Sequence, residues 1–388
     1  MRILFSSMSF PGHINPVLPY AKALMDQGHD VRYCTPGVAA DKAAKFGLTH
    51  VPSPDTSLDE IVEAFAGTEH LSEEDKDAII IPRCFVEMAA ARALPTLREE
   101  IETWKPDLIV RESCEFAALI AAEETGVPHV RVAILHGDME QRFARLSLSA
   151  RDALAETVGL PGDNGAALEA EPAYTSFPEM LSTTRVSDRA PEPFRVRLPK
   201  TDPSESDVKP TWAPADGEPL VYVTFGTQSG TNDRERAMYR TALDAVADLP
   251  VRVLLTTGPN MAEHPLGDIP DNVTVETFVP QDQVFEHCKV VVTHGGSGTV
   301  LGALSAGLPT VVAPMFADQP NNARSVEEAG CGVAVFDATV QGLKAGIENA
   351  LDNTALSQAA QIAADQMSSY PSIDKAVQNM LEHAACAR

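Results

Sequence analysis

The run His294-Gly295-Gly296-Ser297-Gly298-Thr299 sets an imidazole, glycines and two hydroxyls directly after the apolar segment Val290-Val291-Val292-Thr293. A strand passing through glycines into a helix, expected from about Ser297 to Ser305, turns backbone N–H groups toward the positive end of the helix dipole. Such a junction suits an anion, which His294 would meet as a cation or as an N–H donor. Asp318-Gln319 follow, a carboxylate and a carboxamide suited to holding hydroxyl groups. Phosphate beside polyol implies a sugar nucleotide; the bland alternative is a tight turn. The dinucleotide fingerprint would need glycine where Leu301 stands, and no Walker lysine pattern occurs.

A second group lies near the N-terminus. His13, in Gly12-His13-Ile14-Asn15-Pro16, falls just past the first expected strand. A lone histidine is more often a packing or surface residue. At a strand C-terminal end it faces ligand, and its ordinary pKa suits proton removal near neutrality. A base there needs an orienting carboxylate. Glu112 and Glu115 follow the strand Leu108–Val110, with Glu112 the better candidate and Glu115 the second; the alternative is that both are merely solvated. Asp107 reads as a structural turn residue.

Two further segments carry weaker signals. Gly226 and Thr227, in Thr224-Phe225-Gly226-Thr227-Gln228, could offer N–H and hydroxyl to the same phosphate, or form an ordinary turn. In Phe278-Val279-Pro280-Gln281, Phe278 could stack on a base while Val279 backbone groups pair its edge; a core Phe is the competing reading. Asp75-Lys76-Asp77 has the spacing of a cation site but lies in a charge run typical of a solvated helix start, so no metal site is expected there.

These residues need elements to position them. Apolar strands are expected at Ile3–Ser6, Val31–Thr35, Leu108–Val110 and Val130–Ala133, with helices at Pro16–Gln27, Asp77–Thr103 and Phe116–Thr125. The alternation predicts βαβ units and a parallel sheet. It breaks between Pro191 and Pro219, rich in turn formers, and restarts with strands at Leu220–Phe225, Val251–Thr256, Val273–Glu276, Val290–Thr293, Thr310–Val312 and Gly332–Val335. The segment His136–Tyr174 reads as irregular, with a helical stretch at Arg151–Thr157. Ser372–Ala385 reads as helix. The expectation is α/β, two doubly wound Rossmann-like domains facing a central cleft: residues 1–200, a linker at 201–218, a second domain at 219–370, and a last helical segment at 371–388.

The totals are compatible with this. The 388 residues suffice for two full cores, 44% are hydrophobic, and the net charge of −25 argues against a nucleic-acid partner. Six scattered cysteines without a C-x-x-C pair read as reduced thiols, hence a cytoplasmic location. No apolar run approaches the ~20 residues of a membrane span, and no stable membrane association is expected. Alanine-rich helices and abundant acidic residues are compatible with a bacterial enzyme.

Together these pieces resemble the family-one nucleotide-sugar glycosyltransferases of the GT-B fold, and among them the bacterial enzymes that glycosylate polyketide and related antibiotics. The resemblance spans nearly the whole chain and is strongest over Phe278–Asn322 and Gly12–Pro16. It implies that His13 is the general base on an acceptor hydroxyl, steadied by Glu112 where the family usually has aspartate. It implies that Phe278, where tryptophan is common, stacks on the base, that Val279 reads the pyrimidine, and that Gln281 belongs to the donor site. His294, Gly296, Ser297, Gly298 and Thr299, with Gly226 and Thr227, would cradle the diphosphate, and Asp318 and Gln319 would hold the sugar. The last helix should cross back onto the N-terminal half. Members using UDP-sugars often carry glutamate, bonded to the ribose, where this chain has Gly302; its absence favours a dTDP-sugar donor.

The resulting expectation is a metal-independent inverting transferase without a cofactor. It would move a deoxyhexose from a dTDP-sugar to a small hydrophobic natural-product acceptor met by Phe10, Phe85, Glu115 and His136. UDP-sugar transfer to another small molecule or lipid, nucleotide-sugar epimerisation and a non-catalytic binding protein are the competing readings. Oligomeric state is open, a homodimer included.

Overall fold

The computed structural model describes the chain except residues 69, 182–186, 188, 199–209, 211, 215–216, 262–263 and 387–388. Most of the expected linker at 201–218 therefore lies outside the described residues. The chain divides into two compact units. The first comprises the described residues of Met1–Ser176, Thr183–Val196 and Pro371–Arg388; the second those of Phe177–Ser182 and Arg197–Tyr370.

The first unit is built on seven parallel strands: β1 (Arg2–Ser6), β2 (Asp30–Pro36), β3 (Thr49–Ser53), β4 (Leu108–Glu112), β5 (His129–Ala133), β6 (Ala173–Thr175) and β7 (Phe194–Arg195), in the order 3-2-1-4-5-6-7. The central strands are apolar because both faces are covered. Ile3, Phe5, Leu108 and Val110 point into one core, with helices Pro11–Asp26 and Ile373–Cys386. Leu4 and Ile109, one residue out of phase, point into the other with helices Ala91–Trp104 and Phe116–Thr125. Helix Ile373–Cys386 lays Ala376, Val377, Met380 and Ala384 into the first core, and Tyr174 Oη donates to Asn379 Oδ1 at 2.8 Å.

The second unit repeats the plan with six parallel strands: β8 (Leu220–Thr224), β9 (Arg252–Thr256), β10 (Val273–Glu276), β11 (Cys288–Thr293), β12 (Thr310–Val312) and β13 (Gly332–Ala334), in the order 10-9-8-11-12-13. Val221, Val223, Val290 and Val292 face one core; Leu220, Tyr222 and Val291 face the other.

Several expectations are corrected here. Strands β3, β6 and β7 lie outside the strands expected from the sequence. β3 is an edge strand, Thr49-His50-Val51-Pro52-Ser53, whose proline is tolerated because no strand among the described residues pairs beyond it; β6 and β7 are very short. The segment read as irregular from His136 holds a long helix, Gly137–Glu156. Its buried stripe runs Met139, Phe143, Ser147, Arg151 and Ala155, every fourth residue, with buried Glu140 beside it, and its polar members hide the period. The helix expected over Asp77–Thr103 is three segments: Glu73–Ile80, a π-helical stretch Ile81–Ala90, and Ala91–Trp104. Phe177 and Leu181 fall within the expected first domain but pack with Leu301 and Leu304 in the second unit. From the expected linker, Trp212 is buried there too.

Candidate active site

Open parallel sheets bind ligands at strand C-terminal ends where the strand order reverses. In the first unit that point lies between β1 and β4. It carries His13, in the first turn of helix Pro11–Asp26, and Glu112, the last residue of β4. His13 Nδ1 and Glu112 Oε1 are 3.0 Å apart, with the histidine side chain 17% exposed and the glutamate fully buried. Glu112 is fixed on both oxygens: Met8 N–H donates to Oε1 at 3.3 Å and Cys114 N–H to Oε2 at 2.6 Å. A carboxylate at Nδ1 selects the tautomer that leaves the lone pair on Nε2.

Glu115, the other candidate partner and an expected acceptor residue, is used elsewhere. It caps helix Phe116–Thr125, accepting from Ala117 and Ala118 N–H at 3.1 and 2.8 Å. Burial raises its carboxyl to about 7, against the pull of those donors and of Arg111. Phe10 and Phe85 do lie beside His13, with ring centroids 6.1 and 6.3 Å away. Phe143, missed in the sequence, packs edge-on against Phe85 at 5.0 Å. His136 is buried at the start of helix Gly137–Glu156. Cys114 also places a potential ligand atom within 4.8 Å of those of His13 and Glu112. Asp77, in the rejected D-x-D, pairs with Arg142 at 2.8 Å, and Ser72 caps that helix as a solvated start should.

In the second unit the order reverses between β8 and β11. Gly226 and Thr227 follow β8, and the His294–Thr299 run follows β11 into helix Ser297–Ser305. Gly296, the N-cap residue, supplies no side-chain cap, so the first turn keeps N–H donors for another partner. The glycines have separate reasons. A Cβ on Gly296 would stand 2.6 Å from His294 Nε2, and one on Gly226 3.0 Å from the same ring. A Cβ on Gly298 would meet nothing within 4 Å. Burial drives the His294 pKa down to about 4, although Asp318 and Glu235 pull the other way. This shift favours the neutral ring, an N–H donor, over the cation.

Ser297 Oγ donates to Asp318 Oδ2 at 2.8 Å. Asn322, a residue the sequence reading gave no role, donates to Asp318 Oδ2 and to Gly295 O, each at 2.8 Å. Gln319 turns its Oε1 inward, accepting from Met315 and Phe316 N–H at 2.9 and 3.1 Å, so only its Nε2 remains to be offered outward. Ala317, just before Asp318, has φ of +56°, a left-handed conformation that is strained for alanine. Gln281 Nε2 donates to Thr299 Oγ1 at 3.0 Å. Val279 is buried, while Phe278 is 64% exposed, which rules out its reading as a core ring. Gly302 is packed: a Cβ there would lie 2.7 Å from Phe285 Cε2.

Family models described as the N-terminal and C-terminal domains of erythromycin biosynthesis protein CIII-like proteins match residues 22–196 and 240–383. The chain is 30% identical over 384 residues to elloramycin glycosyltransferase ElmGT of Streptomyces olivaceus, covering 96% of this chain and 94% of that one. It superimposes on the glycosyltransferase SnogD from Streptomyces nogalater with TM-score 0.76 and 27% identity over 99% of both chains. It also superimposes on spinosyn rhamnosyltransferase SpnG complexed with thymidine diphosphate, TM-score 0.81 and 22% identity, covering 98% of this chain and 100% of that one.

Proposed function

Because the chain belongs to the family-one GT-B glycosyltransferases of the antibiotic type, we propose that it transfers a hexose, a deoxysugar, from a dTDP-sugar to a hydroxyl of a hydrophobic natural-product acceptor, with inversion at the anomeric carbon. The first unit takes the acceptor and the second the nucleotide sugar. The observation that carries the reading is the His13–Glu112 hydrogen bond at the strand-order reversal of the first sheet.

His13 Nε2 removes the acceptor proton while Glu112 holds the ring and stabilises the imidazolium that forms. The acceptor oxygen attacks the anomeric carbon from the face opposite the diphosphate, and an α-donor gives a β-glycoside. The uncapped N-terminus of helix Ser297–Ser305 and the neutral His294 N–H stabilise charge on the leaving diphosphate. This local field lets an acidic protein bind an anion. Phe278 stacks on the base and Val279 backbone groups pair its edge. Asp318, with Gln319 through Nε2, holds sugar hydroxyls. Phe10 and Phe85 face the acceptor beside His13.

Two observations support thymidine over uridine. SpnG carries thymidine diphosphate in its structure. At Gly302 the Phe285 ring occupies the space a side chain would enter, so no carboxylate there meets a ribose 2′-hydroxyl, and a deoxyribose leaves nothing unpaired. One such bond is worth about 0.5–1.5 kcal/mol, which gives preference rather than exclusion. Calorimetric titration with TDP and with UDP in EDTA tests the donor site. Tighter TDP binding without metal is expected. UDP preferred would move the donor to a UDP-sugar, and binding of neither would overturn the nucleotide-sugar reading.

A further inference from the structure

A charged residue inside an apolar strand needs a reason. Arg111 stands in Leu108-Ile109-Val110-Arg111-Glu112 and is fully buried. Its guanidinium is used on two sides. Nε donates to Glu171 Oε1 at 2.8 Å and Nη2 to Glu171 Oε2, a fork-to-fork pair with both side chains at zero exposure. Nη1 points at the turn after β4 and donates to the carbonyls of Glu112, Ser113 and Glu115 at 3.1, 3.3 and 3.2 Å. That turn also supplies the Cys114 N–H held by Glu112 Oε2. The cation therefore fixes the backbone from which Glu112 reaches His13.

We propose that Arg111 is a positioning residue for the His13–Glu112 pair, and that Glu171 is the counter-charge that lets it serve there. This rests on the reading of His13 as the base. A lone cation in this interior would be strongly unfavourable; Glu171, itself held by His129 Nδ1 at 2.9 Å and by Arg131, supplies the balance. Lysine offers no planar fork and cannot serve Glu171 and three carbonyls together. The turn is pinned on its other side by Ser113, whose Oγ donates to Glu140 and accepts from Ile134 N–H at 3.0 Å. The hydrogen bonds of Arg111 go to Glu171 and to the backbone of the turn after β4, not to His13, so its effect on rate passes through Glu112.

A double-mutant cycle tests this on the full-length enzyme, with kcat, acceptor KM and TDP affinity measured for wild type, Arg111→Lys, Glu112→Gln and the double variant, and His13→Ala alongside. Arg111→Lys is expected to lower kcat about 10-fold to 100-fold while KM and TDP affinity stay within about threefold, and to add less than about threefold in the Glu112→Gln background. An equal loss in both backgrounds, or no loss alone, overturns the positioning role. If Arg111→Lys does not fold, Glu171→Gln takes its place in the same cycle. Full kcat in His13→Ala overturns the base reading and this proposal with it. Loss in His13→Ala with none in Arg111→Lys overturns the positioning role alone.

Discussion

Gly296 and His294 are locked together: a Cβ on the glycine would stand 2.6 Å from Nε2 of the imidazole. Gly298, two residues on, has open space where its side chain would be. One glycine serves the protein, while the other serves nothing the chain itself presents. Gly296→Ala is expected to destabilise by about 1–3 kcal/mol through overpacking. Gly298→Ala is expected to be neutral or stabilising by up to about 1 kcal/mol, yet to weaken TDP binding about tenfold, because its methyl intrudes on the diphosphate. Thermal melts and calorimetry on both variants separate the two effects; TDP affinity unchanged in Gly298→Ala would remove that residue from the donor site.

Phe278 gives a sharper contrast. At 64% exposure it contributes little to the core. Phe278→Ala should leave the melting temperature within a degree or two. It should weaken TDP binding by about 1–3 kcal/mol, the range for one base stacked on one ring. A stability loss with unchanged affinity would return Phe278 to a packing role.

Asn322 links the glycine turn to the sugar side, bridging Gly295 O and Asp318 Oδ2. Asn322→Ala leaves a buried carbonyl unpaired and should cost about 1–3 kcal/mol, with a rise in KM for the donor as Asp318 loosens. Donor KM unchanged in a destabilised variant would confine Asn322 to structure.

Two buried groups hold protons in the folded chain that the unfolded chain releases, and each makes a contribution to stability that is lost as pH rises. Burial raises Glu115 from 4.5 to about 7, so its contribution is full below 4.5 and lost as pH rises through about 7. For His129 burial opposes the charge, but hydrogen bonds to Glu123 and Glu171 prevail and raise the ring from 6.5 to about 9. Its contribution is full below 6.5 and lost as pH rises through about 9. His294, pushed from 6.5 down to about 4, acts in the opposite sense between those values, so each step is read as the difference in melting temperature between variant and wild type. Glu115→Gln should gain on wild type as pH rises from about 4.5 to 7, and His129→Gln as it rises from about 6.5 to 9. A difference that does not change with pH would contradict the step for that residue.

Much of this was legible in the chain, and the failures share a cause. Helices Phe116–Thr125 and Ser297–Ser305 fall where the alternation and the glycine run put them, and the alternation foretold two parallel sheets. Helix Gly137–Glu156 was hidden because Ser147 and Arg151 sit on its buried stripe, where only the pairing of Arg151 with Asp152 and Asp163 explains a charge. The same blindness covers the site. His13 and Glu112 could be proposed from their strand ends. Glu112 ranks ahead of Glu115 from the sequence, but the physical reason is visible only in the fold, where the helix N-terminus captures Glu115. Arg111 was readable as an anomaly, a cation inside an apolar strand, but its partner Glu171 is 60 residues away. Asn322 offered no signal beyond its type.

The central claim is that His13 is the base that activates the acceptor. Its most direct test is kcat of His13→Ala with a dTDP-sugar and an accepted aglycone, beside calorimetric TDP affinity of the same variant. The account predicts a loss of about 10²–10⁴-fold in kcat with TDP affinity unchanged. Undiminished kcat would contradict it and leave the His13–Glu112 pair a structural contact.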